Sequence, residues 1–155
     1  MDPTPTPTPT PTAASTLAHS DKGFLRKAAK AGMKEIDVSQ AVMDHLSNPQ
    51  ARSFAQQMIT DHTAANNGLM ALAQQKGVEI PATDDSSLIN DWTKKTDNVD
   101  RAYIKEMVSD HEEAVKLFEK ASKSSDPDVA AFAQKTLPTL QHHLSMAQDL
   151  KSTIN

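Results

Sequence analysis

The sequence predicts an all-helical protein, a four-helix bundle, from its composition and from the spacing of its apolar residues. The chain has 155 residues with only 4 glycines, a size that suits one domain. Its body is rich in Ala, Leu, Lys, Gln and Met, which favour helices. Four stretches carry apolar residues in alternating steps of three and four, the spacing that lines one face of a helix.

The N-terminal segment differs in composition from the rest of the chain. It consists of Thr-Pro repeats up to residue 12, and proline disrupts both helix and sheet. We therefore expect a disordered, extended tether over residues 1–18 and a single domain over residues 19–155. Such stalks often follow a cleaved signal peptide, which predicts an exported protein of the periplasm or envelope with its signal peptide removed. The alternative is a disordered tail on a cytoplasmic protein.

The first hairpin is predicted from helices over residues 20–46 and 49–76. The link between them contains Asn48, which can cap the second helix, and Pro49, which suits its first turn. Because this link is short, the two helices must be antiparallel neighbours. Gly77 can adopt the left-handed conformation that ends a helix.

The second hairpin follows a long connection over residues 78–98. Within this connection, residues 86–95 hold the only tryptophan of the chain and are predicted to form a short helix covering one side of the bundle. The third and fourth long helices are predicted over residues 99–123 and 127–153, joined by another short link that ends in Asp-Pro.

The two hairpins also resemble one another in sequence. The matching segments, offset by 78 residues, are Asn48-Pro49 with Phe54-Ala55-Gln56, and Asp126-Pro127 with Phe132-Ala133-Gln134. A duplicated hairpin joined by a long connection is the arrangement of ferritin-like bundles, in which the second and third helices run parallel. The predicted fold class is therefore all-α, a ferritin-like four-helix bundle whose long crossover carries a short extra helix between helices 2 and 3.

Each apolar seam is interrupted near its middle by one strongly polar residue. The four residues are Glu35, His62, His111 and His143. A buried polar group costs about 1–3 kcal/mol unless it finds a partner, so we expect these four, at similar depth along their helices, to meet in the core. Three imidazoles and one carboxylate are a suitable ligand set for a divalent ion such as Zn, Cu or Fe.

Neighbouring residues extend this candidate metal site. Asp61, Asp110 and His142 lie beside the seams and could fix imidazole tautomers on adjacent helices. Met58 and Met107 each precede a histidine by one turn, which leaves a His/Met copper site as a weaker alternative. A hydrogen-bonded His/Glu layer that holds the helices in register without any metal is a hypothesis of equal weight.

Several other function classes are disfavoured. The net charge of −4 provides no broad basic surface, so nucleic acid is a poor partner. The chain has no cysteine, no phosphate-binding glycine loop and no apolar stretch long enough to span a membrane. An envelope protein and a second copy of the chain are the remaining partner hypotheses. An enzyme using Glu35 as acid–base beside a metal-bound water is the weaker functional hypothesis.

Three segments of the chain resemble a bacterial family named domain of unknown function 4142. They are Phe54 to Asn66, Tyr103 to His111 and Leu137 to Leu144, and the likeness covers about residues 20–152. The resemblance implies a ferritin-like helical bundle, usually exported to the periplasm or envelope, with no agreed biochemical activity.

The chain departs from the di-iron pattern of the wider fold. The Glu-x-x-His motif of di-iron carboxylate proteins is absent at His62, His111 and His143. Ferroxidase or oxygenase chemistry is therefore disfavoured, and a site with one metal or none is expected. The predicted function is the binding of a divalent metal through the central His/Glu layer. The alternative is a metal-free envelope stress or protein-interaction module with a structural polar layer.

Overall fold

The computed structural model describes residues 17–154, and within that range the chain forms five α-helices and no β-strand. The helices are α1 (His19–Val42), α2 (Pro49–Gln75), α3 (Ser86–Lys94), α4 (Val99–Ala121) and α5 (Pro127–Thr153). Four long helices form a bundle, and the short α3 lies in the crossover between α2 and α4. The predicted all-α bundle with a short helix in its crossover is confirmed. The predicted tether falls almost wholly outside the described residues.

Two proline-led helix starts position the hairpins. The Asn48 side chain accepts hydrogen bonds from two backbone N–H groups in the first turn of α2, at 2.8 and 3.1 Å. Asp126 does the same for α5, at 2.9 and 3.0 Å. A side chain of this kind stabilises a helix by about 1 kcal/mol, because it satisfies backbone donors that have no partner within the helix.

The end of the first helix differs from the prediction. The regular α-helix stops at Val42, and a 3-10 turn over Met43–His45 replaces its last turn. Leu46 then adopts an extended backbone, and its side chain is buried at 3% exposure. Tightening of the last turn brings Leu46 back to the core just before the cap of α2. The apolar spacing carries no signal for this change from one helix type to another.

The pairing of side chains fixes the direction of the helices. Near one end of α1, the rings of Phe24 and Phe118 lie 5.0 Å apart. Towards its other end, the hydroxyls of Ser39 and Tyr103 lie 2.6 Å apart. The helices α1 and α4 are therefore antiparallel. Since α2 is antiparallel to α1 across the short link, α2 and α4 run parallel and the crossover extends along the bundle.

The core consists of two apolar clusters. One includes Phe24, Leu69 and Phe118. The other includes Met58 and Met107, both fully buried, and it also contains Trp92 of α3. The predicted seams are buried or partly buried throughout their length. Trp92 is 8% exposed and packs against Tyr103, so it offers little surface to a partner.

None of the described helices combines the length and apolar character that crossing a lipid bilayer requires.

Candidate metal centre

Three histidines from three helices meet between the two apolar clusters. The ring centroids of His62 and His111 lie 5.5 Å apart, and each lies 5.3 Å from the centroid of His143. One ring nitrogen from each residue lies within 4.8 Å of those of the other two. The three side chains are 7%, 1% and 0% exposed, in chain order. The seam positions thus bring these three imidazoles together in one layer.

Hydrogen bonds fix the tautomers of two of these rings. His111 Nδ1 lies 2.7 Å from the carbonyl oxygen of Met107. A carbonyl only accepts, so Nδ1 carries the hydrogen and Nε2 keeps its lone pair. His143 Nε2 lies 2.8 Å from Asp61 Oδ2. This nitrogen donates to the carboxylate, which leaves the lone pair on Nδ1. This contact agrees with the prediction that Asp61 orients an imidazole on a neighbouring helix.

One nitrogen of each ring has no hydrogen-bonding partner in the part of the chain that the structure describes. His62 Nε2, His111 Nε2 and His143 Nδ1 are buried, and none finds a hydrogen-bonding partner among residues 17–154. A buried polar atom without a partner costs about 1–3 kcal/mol. Three such atoms on three adjacent rings would therefore destabilise a purely structural layer.

The environment keeps the three rings uncharged. Burial lowers the pKa of His62 to about 3, and the neighbouring rings of His111 and His143 add to this effect. Burial likewise lowers the pKa of His111 to about 4. The pKa of His143 is also lowered by burial, against the opposing effect of Asp61. At neutral pH the rings are neutral imidazoles, the form that binds metal ions.

Glu35 is buried close by but belongs to a different group. Its side chain is 4% exposed, and it is not part of the set whose ligand atoms lie within 4.8 Å of one another. Its carboxyl group lies instead beside that of Asp110, and both residues line the same cavity. Burial, followed by the effect of Asp110, raises the pKa of Glu35 well above its usual range. The role of Glu35 as a metal ligand stays a prediction.

The carboxyl groups of Glu35 and Asp110 are neighbours on α1 and α4. Each residue has a buried oxygen without a hydrogen-bonding partner among residues 17–154, and the raised pKa of Glu35 favours its protonated form. Lys34 accompanies them, with its Nζ 3.0 Å from Asp110 and 2.7 Å from Glu106. The pair joins α1 to α4 beside the histidine layer.

The remaining predicted partners occupy other positions. Asp110 was predicted to orient an imidazole on an adjacent helix, but its neighbours are Lys34 and Glu35. His142 is exposed on the surface, since the residue next to an inward-facing helical position points about 100° away. Two contacts of the site were not predicted from the sequence. They involve Lys34, which lies outside the seam, and the Met107 carbonyl, which no side-chain pattern reveals.

The arrangement can hold a transition-metal ion. Three neutral imidazoles, each with a ring nitrogen within 4.8 Å of those of the other two, suit Zn²⁺, Cu²⁺ or Fe²⁺ better than Mg²⁺ or Ca²⁺, which prefer oxygen ligands. The hydrogen bonds from His111 to Met107 and from His143 to Asp61 are the kind that orient ligating histidines in metalloproteins.

The fold and this layer define a class: helical bundles with a buried three-histidine centre. A family model described as "Domain of unknown function (DUF4142)" matches residues 6–150, and the chain belongs to this family. The resemblance found in the sequence is thus confirmed. No curated protein matches the chain.

A solved structure is similar in fold. It is the crystal structure of a DUF305 fragment from Deinococcus radiodurans, with a TM-score of 0.75 and 11% sequence identity. The match covers 88% of this chain and 98% of that one. At this level of identity the likeness concerns the fold alone.

Proposed function

We propose that this protein binds one divalent transition-metal ion, of Zn, Cu or Fe, through His62, His111 and His143. The observation that carries the proposal is the set of three buried ring nitrogens that have no hydrogen-bonding partner among the described residues, each on a neutral imidazole. An ion bound to them would satisfy all three atoms at once. The interior position would shield the ion from competing solutes.

The charges around the layer support the same proposal. Asp61 lies behind His143 at 2.8 Å, and a carboxylate at this position strengthens the imidazole as a donor. Asp110 and Glu35 line the same cavity as His62 and His111. A buried cation needs such anionic or polar groups nearby, because transfer out of water is otherwise very unfavourable.

The test is metal uptake by the purified chain after treatment with a chelator. Isothermal titration with Zn²⁺ should give one site per chain, and His62→Ala should remove it. The matched control is His142→Ala, which deletes a surface histidine next to His143 and should leave stoichiometry and affinity unchanged. Asp61→Asn should weaken binding by about 10–100-fold through loss of ring orientation. Equal binding by wild type and His62→Ala would refute the proposal.

The part played by Glu35 can be decided separately. If Glu35 completes the ligand set, its carboxyl group must give up its proton, so uptake releases up to one proton per ion. Titrations in two buffers of different ionisation enthalpy measure that release. A release seen in wild type and absent in Glu35→Gln assigns Glu35 as a ligand. No release in either protein would restrict the ligands to the three histidines.

A metal-free structural role is the second candidate, and one observation favours it. Two links join neighbouring helices across the layer without an ion, from Lys34 to Asp110 and from His143 to Asp61. These contacts could fix the register of the bundle in an envelope stress or interaction module. In that case the histidine variants would lose stability in chelator and show no metal-dependent difference.

The cellular location is part of the proposal. We infer an exported protein of the periplasm or envelope from the Thr/Pro-rich composition of the N-terminal residues. Fractionation of cells that carry the natural gene tests this directly. Recovery in the cytoplasmic fraction would contradict it without affecting the metal proposal.

A further inference from the structure

A small cavity adjoins the histidine layer. It has a volume of about 40 Å³, and all four long helices contribute to its wall. Its polar lining residues are Glu35, His62, Asn66, Asp110, His111 and Thr136. The rest of the wall is mostly apolar and includes Ala28, Leu69, Ala114, Phe118 and Leu140. The space exists because small residues occupy seam positions on α1, α2 and α4.

The volume limits what can occupy this cavity. A water molecule needs about 10–15 Å³ on this measure, so the cavity admits about three waters or one molecule of two to three heavy atoms. The apolar wall disfavours an ion, because a charged ligand would lose its hydration without compensation there. The size and the wall therefore select a small uncharged molecule.

The polar lining residues distinguish this cavity from a simple packing defect. Glu35 is 4% exposed, and its Oε2 has no hydrogen-bonding partner among residues 17–154. His62 and His111 each present a buried, unpartnered Nε2 in the same part of the bundle. His143 does not line the cavity. A bound ion would thus adjoin this space on the side of His62 and His111.

We infer that the cavity binds a small uncharged molecule, about the size of dioxygen, next to His62 and His111. The cavity stands on its own geometry, and contact between the molecule and a metal ion rests on the proposed function. Access is available because several lining residues, among them Ala31, Asn66 and Thr136, are only partly buried, so the cavity approaches the surface between helices.

Xenon is the probe for the cavity itself, applied to the metal-free full-length chain. Methyl NMR should show saturable shifts at Ala28, Ala114 and Leu140. Ala114→Leu fills the cavity and should abolish the shifts at Ala28 and Leu140. The matched control is Ala102→Leu, on the same helix and also partly buried but packed against the other apolar cluster. It should leave them intact.

Circular dichroism checks that both variants are folded, so that a lost signal reports the cavity. Absence of xenon shifts in the wild type would overturn the inference, whatever the metal results. Shifts that persist in Ala114→Leu would overturn it too, as would their loss in Ala102→Leu alone.

A second measurement tests contact with the ion. Protein loaded with Fe²⁺ and exposed to nitric oxide should form an iron–nitrosyl species visible by electron paramagnetic resonance. Ala114→Leu should bind Fe²⁺ as wild type does and lose the nitrosyl signal. If Fe²⁺ binds but no nitrosyl forms in the wild type, contact between cavity and ion is wrong and the metal proposal stands. If no metal binds, the metal proposal fails and xenon alone decides the cavity.

Discussion

The substitution His62→Leu separates a metal site from a structural layer through its effect on stability. His62 Nε2 is buried and has no partner among residues 17–154, which costs about 1–3 kcal/mol in the metal-free protein. Leu is of similar size and removes that polar atom. Its neighbours His111 and His143 keep their bonds to Met107 and Asp61. We therefore expect His62→Leu to raise the free energy of unfolding by about 1–2 kcal/mol in chelator.

The order should reverse when metal is present. A ligand that binds only the folded state at 100 times its Kd adds about 2.7 kcal/mol, so Zn²⁺ should make the wild type more stable than His62→Leu. Urea unfolding followed by circular dichroism, with and without Zn²⁺, measures both orders. His143→Leu is the comparison, because it also deletes the bond to Asp61 and should gain less.

The outcome that refutes this reasoning is a loss of more than about 1 kcal/mol for His62→Leu in chelator. Such a loss would mean that the imidazole contributes a native contact that the protein needs without metal. The histidine layer would then be a structural device, and the metal proposal would lose its energetic basis.

Three further predictions concern the same core. Acid should destabilise the metal-free protein. Because the pKa of His62 is about 3, the folded state binds fewer protons than the unfolded chain between pH 3 and 6.5, and the free energy of unfolding should fall by roughly 3–5 kcal/mol as the pH drops through that window. Urea titrations should show a shallower fall in His62→Leu. Tyr103→Phe should cost about 1–2 kcal/mol because it strands the buried Ser39 hydroxyl, now 2.6 Å from the phenol; adding Ser39→Ala should recover part of the loss, and an additive double variant would contradict this. Gly32→Ala should lower the thermal midpoint because its Cβ would lie 2.2 Å from Asn66 Oδ1; Asn66→Ala should restore it, and no loss in the single variant would show that Asn66 simply moves aside.

Much of the fold follows from the sequence because local signals agree with one another. The step of three and four residues fixes which face of each helix is buried, and Leu25, Val42, Met58 and Ile104 are all fully buried as it predicts. The Asn-Pro and Asp-Pro starts place two helix beginnings to the residue. The family match then confirms the resemblance carried by the histidine segments.

The site is only partly readable from the same pattern. A seam gives the face and the approximate depth of a side chain, and that is enough to bring His62, His111 and His143 together. It does not say which of several neighbours a side chain meets across the bundle. Glu35 therefore pairs with Asp110, because α1 packs on α4 and Lys34 draws Asp110 to that edge.

Other features of the site depend on packing volumes and backbone atoms. The volume of the cavity beside the histidines depends on the spacing between the helices at Ala114 and its neighbours. The tautomer of His111 depends on a main-chain oxygen. Neither feature can be predicted from the order of residue types.

The most direct test of the central claim is nitrogen NMR of the histidine rings before and after addition of Zn²⁺. At pH 7 without metal, His62, His111 and His143 should all be neutral, with the hydrogen of His111 on Nδ1 and that of His143 on Nε2. One equivalent of Zn²⁺ should then shift Nε2 of His62, Nε2 of His111 and Nδ1 of His143 together. Charged rings at pH 7, or zinc shifts confined to surface histidines such as His142, would contradict the account.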